Sequence, residues 1–250
     1  MKQFLKQLLL TGVAASGVLL ATSAQAQVSF GPRVGLNVST LSYDFDTETE
    51  PTSKYKAGAQ VGVSLNAQFG KLSVQPSLLF TMKGNKSEIT DSQTYPSNGQ
   101  TFTSTYHRNQ TFNLNYLELP VNLVYSTNGA EGGFQVFAGP YVAMGLGGNT
   151  KADFTETNSV GGVTQTQSGS FDVDVAFVNE KGNGDKAYLR RFDAGFNFGI
   201  GYKIAGIQAQ AGYGLGLGNL FPNDKNDPKS EDKLHNRGFQ IAVSYFLQKP

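Results

Sequence analysis

From residue 55 to residue 69 the chain alternates apolar and polar side chains with a period of two. Tyr55, Ala57, Ala59, Val61, Val63, Leu65, Ala67 and Phe69 share one parity; Lys56, Gly58, Gln60, Gly62, Ser64, Asn66 and Gln68 share the other. Successive side chains of a strand point to opposite faces, so this pattern predicts a strand with one apolar and one polar face. The polar parity is Gly, Ser, Asn and Gln rather than Lys and Glu. That suits the crowded lumen of a small membrane barrel better than an open water-facing surface.

Seven more segments show the same alternation. Their apolar sets begin at Val28, Leu72, Leu117, Phe134, Phe192, Ile207 and Phe239. In the third segment Leu79 breaks the pattern, and in the fourth Phe112 and Leu114 carry the opposite parity to Leu117, which predicts a bulge or register change near Asn115. Each segment has about 10 residues or more, enough to cross an apolar layer when tilted. The predicted fold is all-β: an eight-stranded antiparallel up-and-down transmembrane β-barrel, with an even strand number as single-chain bacterial barrels have.

Connection lengths orient it. Gly70-Lys71, Ser126 to Gly133 and Ala205-Gly206 are short; Asp44 to Lys54, Gly84 to Gln110, Asn149 to Tyr188 and Pro222 to Asn236 are long and polar. Strict alternation of the two matches tight periplasmic turns and long extracellular loops. Aromatic residues of the outward parity then fall at both ends. Phe30, Phe69, Tyr125, Phe134, Tyr202 and Tyr245 lie at the periplasmic end, and Tyr55, Phe80, Phe192 and Phe239 at the other, as two interfacial girdles require.

Composition narrows the setting. Charged residues are only 16% of the chain, against about 25% in a typical soluble domain. The negative mean hydropathy is no objection, because barrel strands are half polar. A net charge of +1 gives no field that would attract nucleic acid. Lys2 and Lys6, an apolar stretch from Leu8 to Ala21, and Ala24-Gln25-Ala26 make a secretory signal peptide over residues 1–26, leaving one β-domain over 27–250. The apolar stretch is short for a spanning helix, which takes about 20 residues. With no Cys, disulfides, thiolate metal sites and lipid attachment at a cysteine are excluded.

The structural rival is a secreted lipocalin-like barrel with the faces inverted. Its exterior would need charge, yet the polar parity of the seventh segment reads Gln208, Gln210, Gly212, Gly214, Gly216, Gly218. That is a poor water-facing surface. As a lumen wall it leaves room for Tyr116, Phe137 or Tyr141 to cross.

Several stretches resemble a known family. Asn115-Tyr116-Leu117-Glu118-Leu119-Pro120-Val121, Phe137-Ala138-Gly139-Pro140-Tyr141, the strand Arg191 to Tyr202, and Tyr213-Gly214-Leu215-Gly216-Leu217-Gly218-Asn219-Leu220 are similar, in this order, to segments of PorT-like "porin family" outer-membrane barrels of Bacteroidetes. The resemblance implies an eight-stranded outer-membrane barrel and little about activity. The chain departs from many outer-membrane proteins at its end, where Tyr245-Phe246 precede Leu247-Gln248-Lys249-Pro250 instead of a terminal aromatic residue.

Candidate chemistry is sparse. The charges of inward parity are Arg33, Lys56, Lys83, Glu118, Asp193 and Lys203. In a lumen just wide enough for side chains to fill, they are expected to form a structural polar network that includes Arg33, Glu118, Asp193 and Lys203, with Glu118 and Asp193 accepting from Arg33 or a Lys. A narrow channel for small solutes is the alternative. A rim enzyme would need His235 with Asp232 or Glu231, or His107 with Ser104, and no ordered motif supports either set. Asp44, Asp46, Glu48 and Glu50 lack the turn and closing Glu of a calcium loop and suit a solvated acidic loop bridged to lipopolysaccharide phosphates by divalent ions. Phe171, Val173, Val175 and Phe177 alternate with polar residues, so the long third connection is expected to form a hairpin above the membrane that offers an edge to a protein partner. No cofactor is implied. Expected partners are outer-membrane lipid, lipopolysaccharide and the outer-membrane assembly machinery.

Overall fold

The computed structural model describes residues 27–44, 52–97, 99–223 and 232–247. The expected signal peptide, Asp46, Glu48, Glu50, Glu231 and residues 248–250 lie outside them. Ten strands are present among the described residues: β1 (Gln27–Asp44), β2 (Thr52–Phe69), β3 (Leu72–Ser97), β4 (Gln100–Ser126), β5 (Gly133–Val160), β6 (Val163–Val178), β7 (Ala187–Arg190), β8 (Phe192–Ile204), β9 (Ile207–Gly216) and β10 (Lys233–Tyr245). Eight of them close a ring in the order β1-β2-β3-β4-β5-β8-β9-β10, every neighbour antiparallel, with β10 returning to β1. Closure removes free edges from the ring, which is what a sheet in hydrocarbon requires.

The faces are those of a membrane barrel. Leu36, Leu123, Phe192, Ile200 and Ile241 are more than half exposed or nearly so on the outside, while Gln60, Gln75, Asn122, Gln135, Asn197 and Gln208 are buried inside. An inverted, lipocalin-like arrangement is thereby ruled out. Every girdle aromatic named above is exposed on the outer surface.

Short turns join β2–β3, β4–β5 and β8–β9, the second through a 3-10 turn at Gly129–Glu131. At the opposite end the connections differ from the sequence expectation. Residues 84–110 are no loop: β3 and β4 continue their ladder without a register break from Gly84↔Asn113 to Ser97↔Gln100. β5 follows β4 up to Phe102↔Val160, and the hairpin expected of the third connection is present, β6 folding back on β5 from Val160↔Val163 to Asn149↔Asp174 through Gly161 and Gly162, both with positive φ. The stretch of residues 84–110 is as polar as a loop. Its Thr, Tyr and Phe are strand formers nonetheless, and cross-strand hydroxyl pairs supply the pairing energy that apolar burial supplies below.

The bulge near Asn115 is present in the β4–β5 ladder, where Asn115↔Gly147 is followed by Tyr116↔Gly145. The extra residue is Leu146 on β5, so β4 keeps its phase. Phe112 and Leu114 therefore face inward with Tyr116 and Glu118, and the lumen itself becomes apolar at this height. Leu79, the other exception, also points inward and is 1% exposed.

Candidate functional site: the filled lumen, its plug and the raised wall

Three layers fill the barrel. Nearest the short turns is an amide layer: Gln208 donates to Gln135 at 2.7 Å and to Gln75 at 3.3 Å, Gln75 donates to Asn66 at 2.9 Å, and Gln135 donates to Ser126 at 2.7 Å. Above it Arg33 donates to Gln210 at 2.5 Å and Gln60 to Gln240 at 3.2 Å. Higher still, Lys83 pairs with Glu118 at 2.6 Å, and Asp193 accepts from Asn236 at 2.9 Å and Tyr141 at 3.1 Å. The Lys83 ammonium lies 4.7 Å from the Tyr141 ring centre and 5.7 Å from that of Tyr116. Buried charges need such partners to offset their desolvation.

The four lumen residues singled out in the sequence thus divide. Glu118 and Asp193 share one cluster, and of the two expected donors it is a Lys, Lys83, and not Arg33 that meets Glu118, while Asp193 accepts from Tyr141 and Asn236. Lys203 is not part of that cluster. It sits at the short-turn end, across from Gly133 and Gln208, with its Nζ 5.6 Å from the Phe246 ring. Parity assigned these residues to the lumen, but height in the lumen depends on strand tilt and register, which no single strand reveals. Lys56 is half-buried at the β2–β3 bulge, its Nζ turned to the Ala57 carbonyl at 3.4 Å.

Large side chains cross the lumen where glycines make room. A Cβ on Gly212 would lie 2.7 Å from Phe137 Cζ, and one on Gly195 would lie 2.7 Å from Tyr141 Cε1. The glycine-rich parity of β9 is therefore a packing feature. A cavity of about 30 Å³ remains between Asn37, Thr81, Lys83, Glu118 and Asn236, room for about two waters.

The mouth is closed by a plug that the sequence did not disclose. After the hairpin, β6 bends inward and pairs in parallel with β7, Val175↔Ala187 to Val178↔Arg190. Val175, Phe177, Leu189 and Leu220 pack on Tyr116, Tyr141, Leu41, Leu114 and Leu234 as one buried cluster. Phe177 meets Tyr116 edge to face at 5.3 Å. Gly145 permits this, since a Cβ there would lie 2.2 Å from Phe177 Cδ1. Arg191 ties the bend down by donating to the Phe177 carbonyl at 3.3 Å. The inward apolar residues Leu114 and Tyr116 were the one available signal: a lumen position that is apolar needs something apolar across from it.

Outside the ring, the upper parts of β3, β4, β5 and β6 form a four-stranded wall. Its concave face continues the lumen parity and carries Tyr95 against Phe102 at 4.8 Å and Tyr106 against Phe154 at 6.4 Å. The convex face continues the lipid-facing parity, with charged residues such as Lys86, Glu88, Lys151 and Asp153 in its lower rows and hydroxyls above them. Here Ser92–Thr105, Thr94–Thr103, Thr155–Ser168, Thr157–Thr166 and Ser159–Thr164 pair at 2.8–3.4 Å.

His107 does not meet Ser104, and Glu231, named as a partner for His235, lies outside the described residues. His107 is on the convex face, its Nδ1 2.8 Å from Thr90 Oγ1 and its Nε2 3.1 Å from Asn109 Nδ2; Ser104 has the opposite parity and faces the other way. His235 Nδ1 lies 3.0 Å from the Gly218 carbonyl. Among the described residues no group of three His, Cys, Asp or Glu side chains is placed to hold a metal ion.

Comparison with known proteins adds the family. Solved structures similar to this chain include the attachment invasion locus protein Ail of Yersinia pestis, at 11% identity and a TM-score of 0.38 over 88% of this chain and 99% of that one. Neisserial surface protein A (NspA) matches at 12% identity and a TM-score of 0.34 over 87% and 97%. No curated protein matches the chain. The family described as outer membrane protein beta-barrel domain matches residues 23–222, most of the sequence. The chain belongs to that outer-membrane β-barrel family.

Proposed function

We propose that this outer-membrane barrel is a closed, non-enzymatic scaffold of the PorT-like type, exported through cleavage of residues 1–26, whose raised extracellular wall binds a protein partner. The observation that carries the reading is the plug. Phe177, Leu189 and Leu220 seal the mouth on Tyr116 and Tyr141, above a lumen already occupied by hydrogen-bonded Gln, Asn and Arg side chains. In this reading Arg33, Glu118, Asp193 and Lys203 are structural, and Phe30, Tyr55, Phe69, Tyr125, Phe134, Phe192, Tyr202, Phe239 and Tyr245 sit at the two membrane interfaces.

The partner site is the β5–β6 hairpin. Over residues 163–174 β6 pairs only with β5 among the described residues, so its outer edge offers unpaired backbone groups to an added strand. The aromatic concave face beside it supplies side-chain anchors of the kind that dominate protein interfaces. Two measurements test this. Purified protein in a planar bilayer is expected to give no discrete conductance; sustained nanosiemens steps would replace the scaffold with a channel. Envelope proteins captured by the intact barrel are expected to be lost when residues 152–171 are replaced by a two-residue turn, and equal capture by both would remove the hairpin from the partner site.

A further inference from the structure

The raised wall ends in two edges, and they differ. Beyond Glu88, β3 has a strand neighbour only on its β4 side among the described residues, just as β6 has one only on its β5 side over residues 163–174. The free stretch of β3 carries Asp91 and Pro96. A charge, and a residue without an amide donor, are how natural sheets keep a further strand away. From Val163 to Phe171, β6 has no charged residue and no proline, and its ladder with β5 runs without a bulge. One edge is blocked and the other is open.

The open edge already takes a strand lower down, where β7 pairs with it from Val175↔Ala187 to Val178↔Arg190. Above that contact the edge continues for about 40 Å with backbone donors and acceptors at the strand repeat. A second polypeptide backbone matches that repeat, so the occupant that continues the β6–β7 pairing is an extended chain.

The concave side says what that chain carries. Gly169 lies directly across from Phe154, and the Phe154 ring reaches over it: a Cβ on Gly169 would stand 2.6 Å from Phe154 Cζ. Tyr106 stacks on Phe154 from the β4 side, with ring centres 6.4 Å apart and planes 23° from parallel. The aromatic pair therefore leans toward the open edge, and the residue across from Gly169 on an added strand would meet the Phe154 ring. Phe171, two residues on and of the same parity, is exposed beside it. On the other face the edge offers Thr164, Thr166, Ser168 and Ser170, which give a charged side chain no partner.

We propose that the partner's binding element is an uncharged, extended segment that adds to β6 as a further strand, with an aromatic residue across from Gly169 that makes a third ring beside Phe154 and Tyr106. Apolar residues of the same parity lie against Phe171, and small hydroxyl or β-branched residues of the other parity lie beside the Thr and Ser row. The inference rests on the partner site proposed above and specifies what fills it.

The chain contains no Trp, so an indole in an added peptide reports on itself alone. The probe is a short peptide of alternating threonine and valine with a central tryptophan in the valine parity, titrated against the intact barrel in nanodiscs. A saturable blue shift of tryptophan emission is expected, and none when residues 152–171 are replaced by a two-residue turn. Phe154→Ala is expected to weaken binding roughly fivefold through loss of the ring contact. Methylating every second peptide amide gives two further probes, one with its methyl groups toward β6 and one with them toward solvent. Binding is expected to vanish for the first and persist for the second, an arm that needs no variant of the protein. No shift with the native barrel, the same result for both methylated probes, or no effect of Phe154→Ala would overturn the proposal.

The two readings fail separately. Equal capture of envelope proteins by the intact and hairpin-less barrels removes the partner site. Hairpin-dependent capture without peptide binding keeps that site and removes the added strand.

Discussion

Lys83 and Glu118, on adjacent strands β3 and β4, form a 2.6 Å ion pair inside the barrel, their side chains 14% and 6% exposed. Such a pair repays the desolvation of its charges only while both are present. Glu118→Gln leaves the ammonium with Asp193 as its remaining countercharge and is expected to cost about 3–5 kcal/mol. Lys83→Met with Glu118→Leu removes both charges and is expected to recover most of that loss. Urea unfolding of the native protein, Lys83→Met, Glu118→Leu and the double variant forms a double-mutant cycle that measures the coupling, and additive losses would show that the two residues act separately.

Phe177 is held across the mouth by the absence of a side chain at Gly145. Gly145→Val is expected to expel Phe177 and free the segment from β6 to β7. A protease added from outside would then cut between residues 175 and 190, while bilayer recordings stay silent because the hydrogen-bonded layers below still fill the lumen. Continued protection in the variant would mean that Arg191 and the β6–β7 pairing suffice to hold the plug.

Gly212 faces Phe137 at a separation that no larger residue tolerates. Gly212→Leu is expected to destabilise the barrel by about 1–3 kcal/mol through overpacking. Adding Phe137→Ala opens the space and is expected to restore part of the loss. A lumen with slack would show no difference between the two variants in thermal gel-shift midpoint.

Ile241, between the girdle residues Phe239 and Tyr245 on β10, is 65% exposed on the outer face. Ile241→Arg is expected to cost about 2–4 kcal/mol in a bilayer, the range for arginine near the midplane of a barrel. Thr157→Arg, of outward parity but on the raised wall, is expected to change stability by no more than about 0.5 kcal/mol. Folding into lipid vesicles compares the two, and equal effects would contradict the height assigned to the wall.

The period-two pattern carried most of the fold because it is written locally. Alternation in β2 and β8 marks the faces, and the dominance of Gly, Ser, Asn and Gln on one of them identifies lumen. Gly70-Lys71 and Ala205-Gly206 fix the short turns. Polarity misled where it was taken for irregularity: the stretch after Gly84 is as polar as a loop, yet Thr94 and Thr103 show that hydroxyl pairs sustain a ladder as apolar pairs do.

The chain alone thus determined which side chains face lipid and which face the lumen, since a strand's geometry alternates them one residue at a time. Only the closed structure decided which lumen residues meet. Lys83 finds Glu118, Arg33 finds Gln210 and Lys203 lies at the far end, because height in a barrel is set by the tilt and stagger of all its strands together. The plug belongs to the same class. Phe177 and Leu189 are distant in sequence from Tyr116, and no local rule brings them together. They meet because an apolar lumen wall leaves a surface that the returning chain can bury.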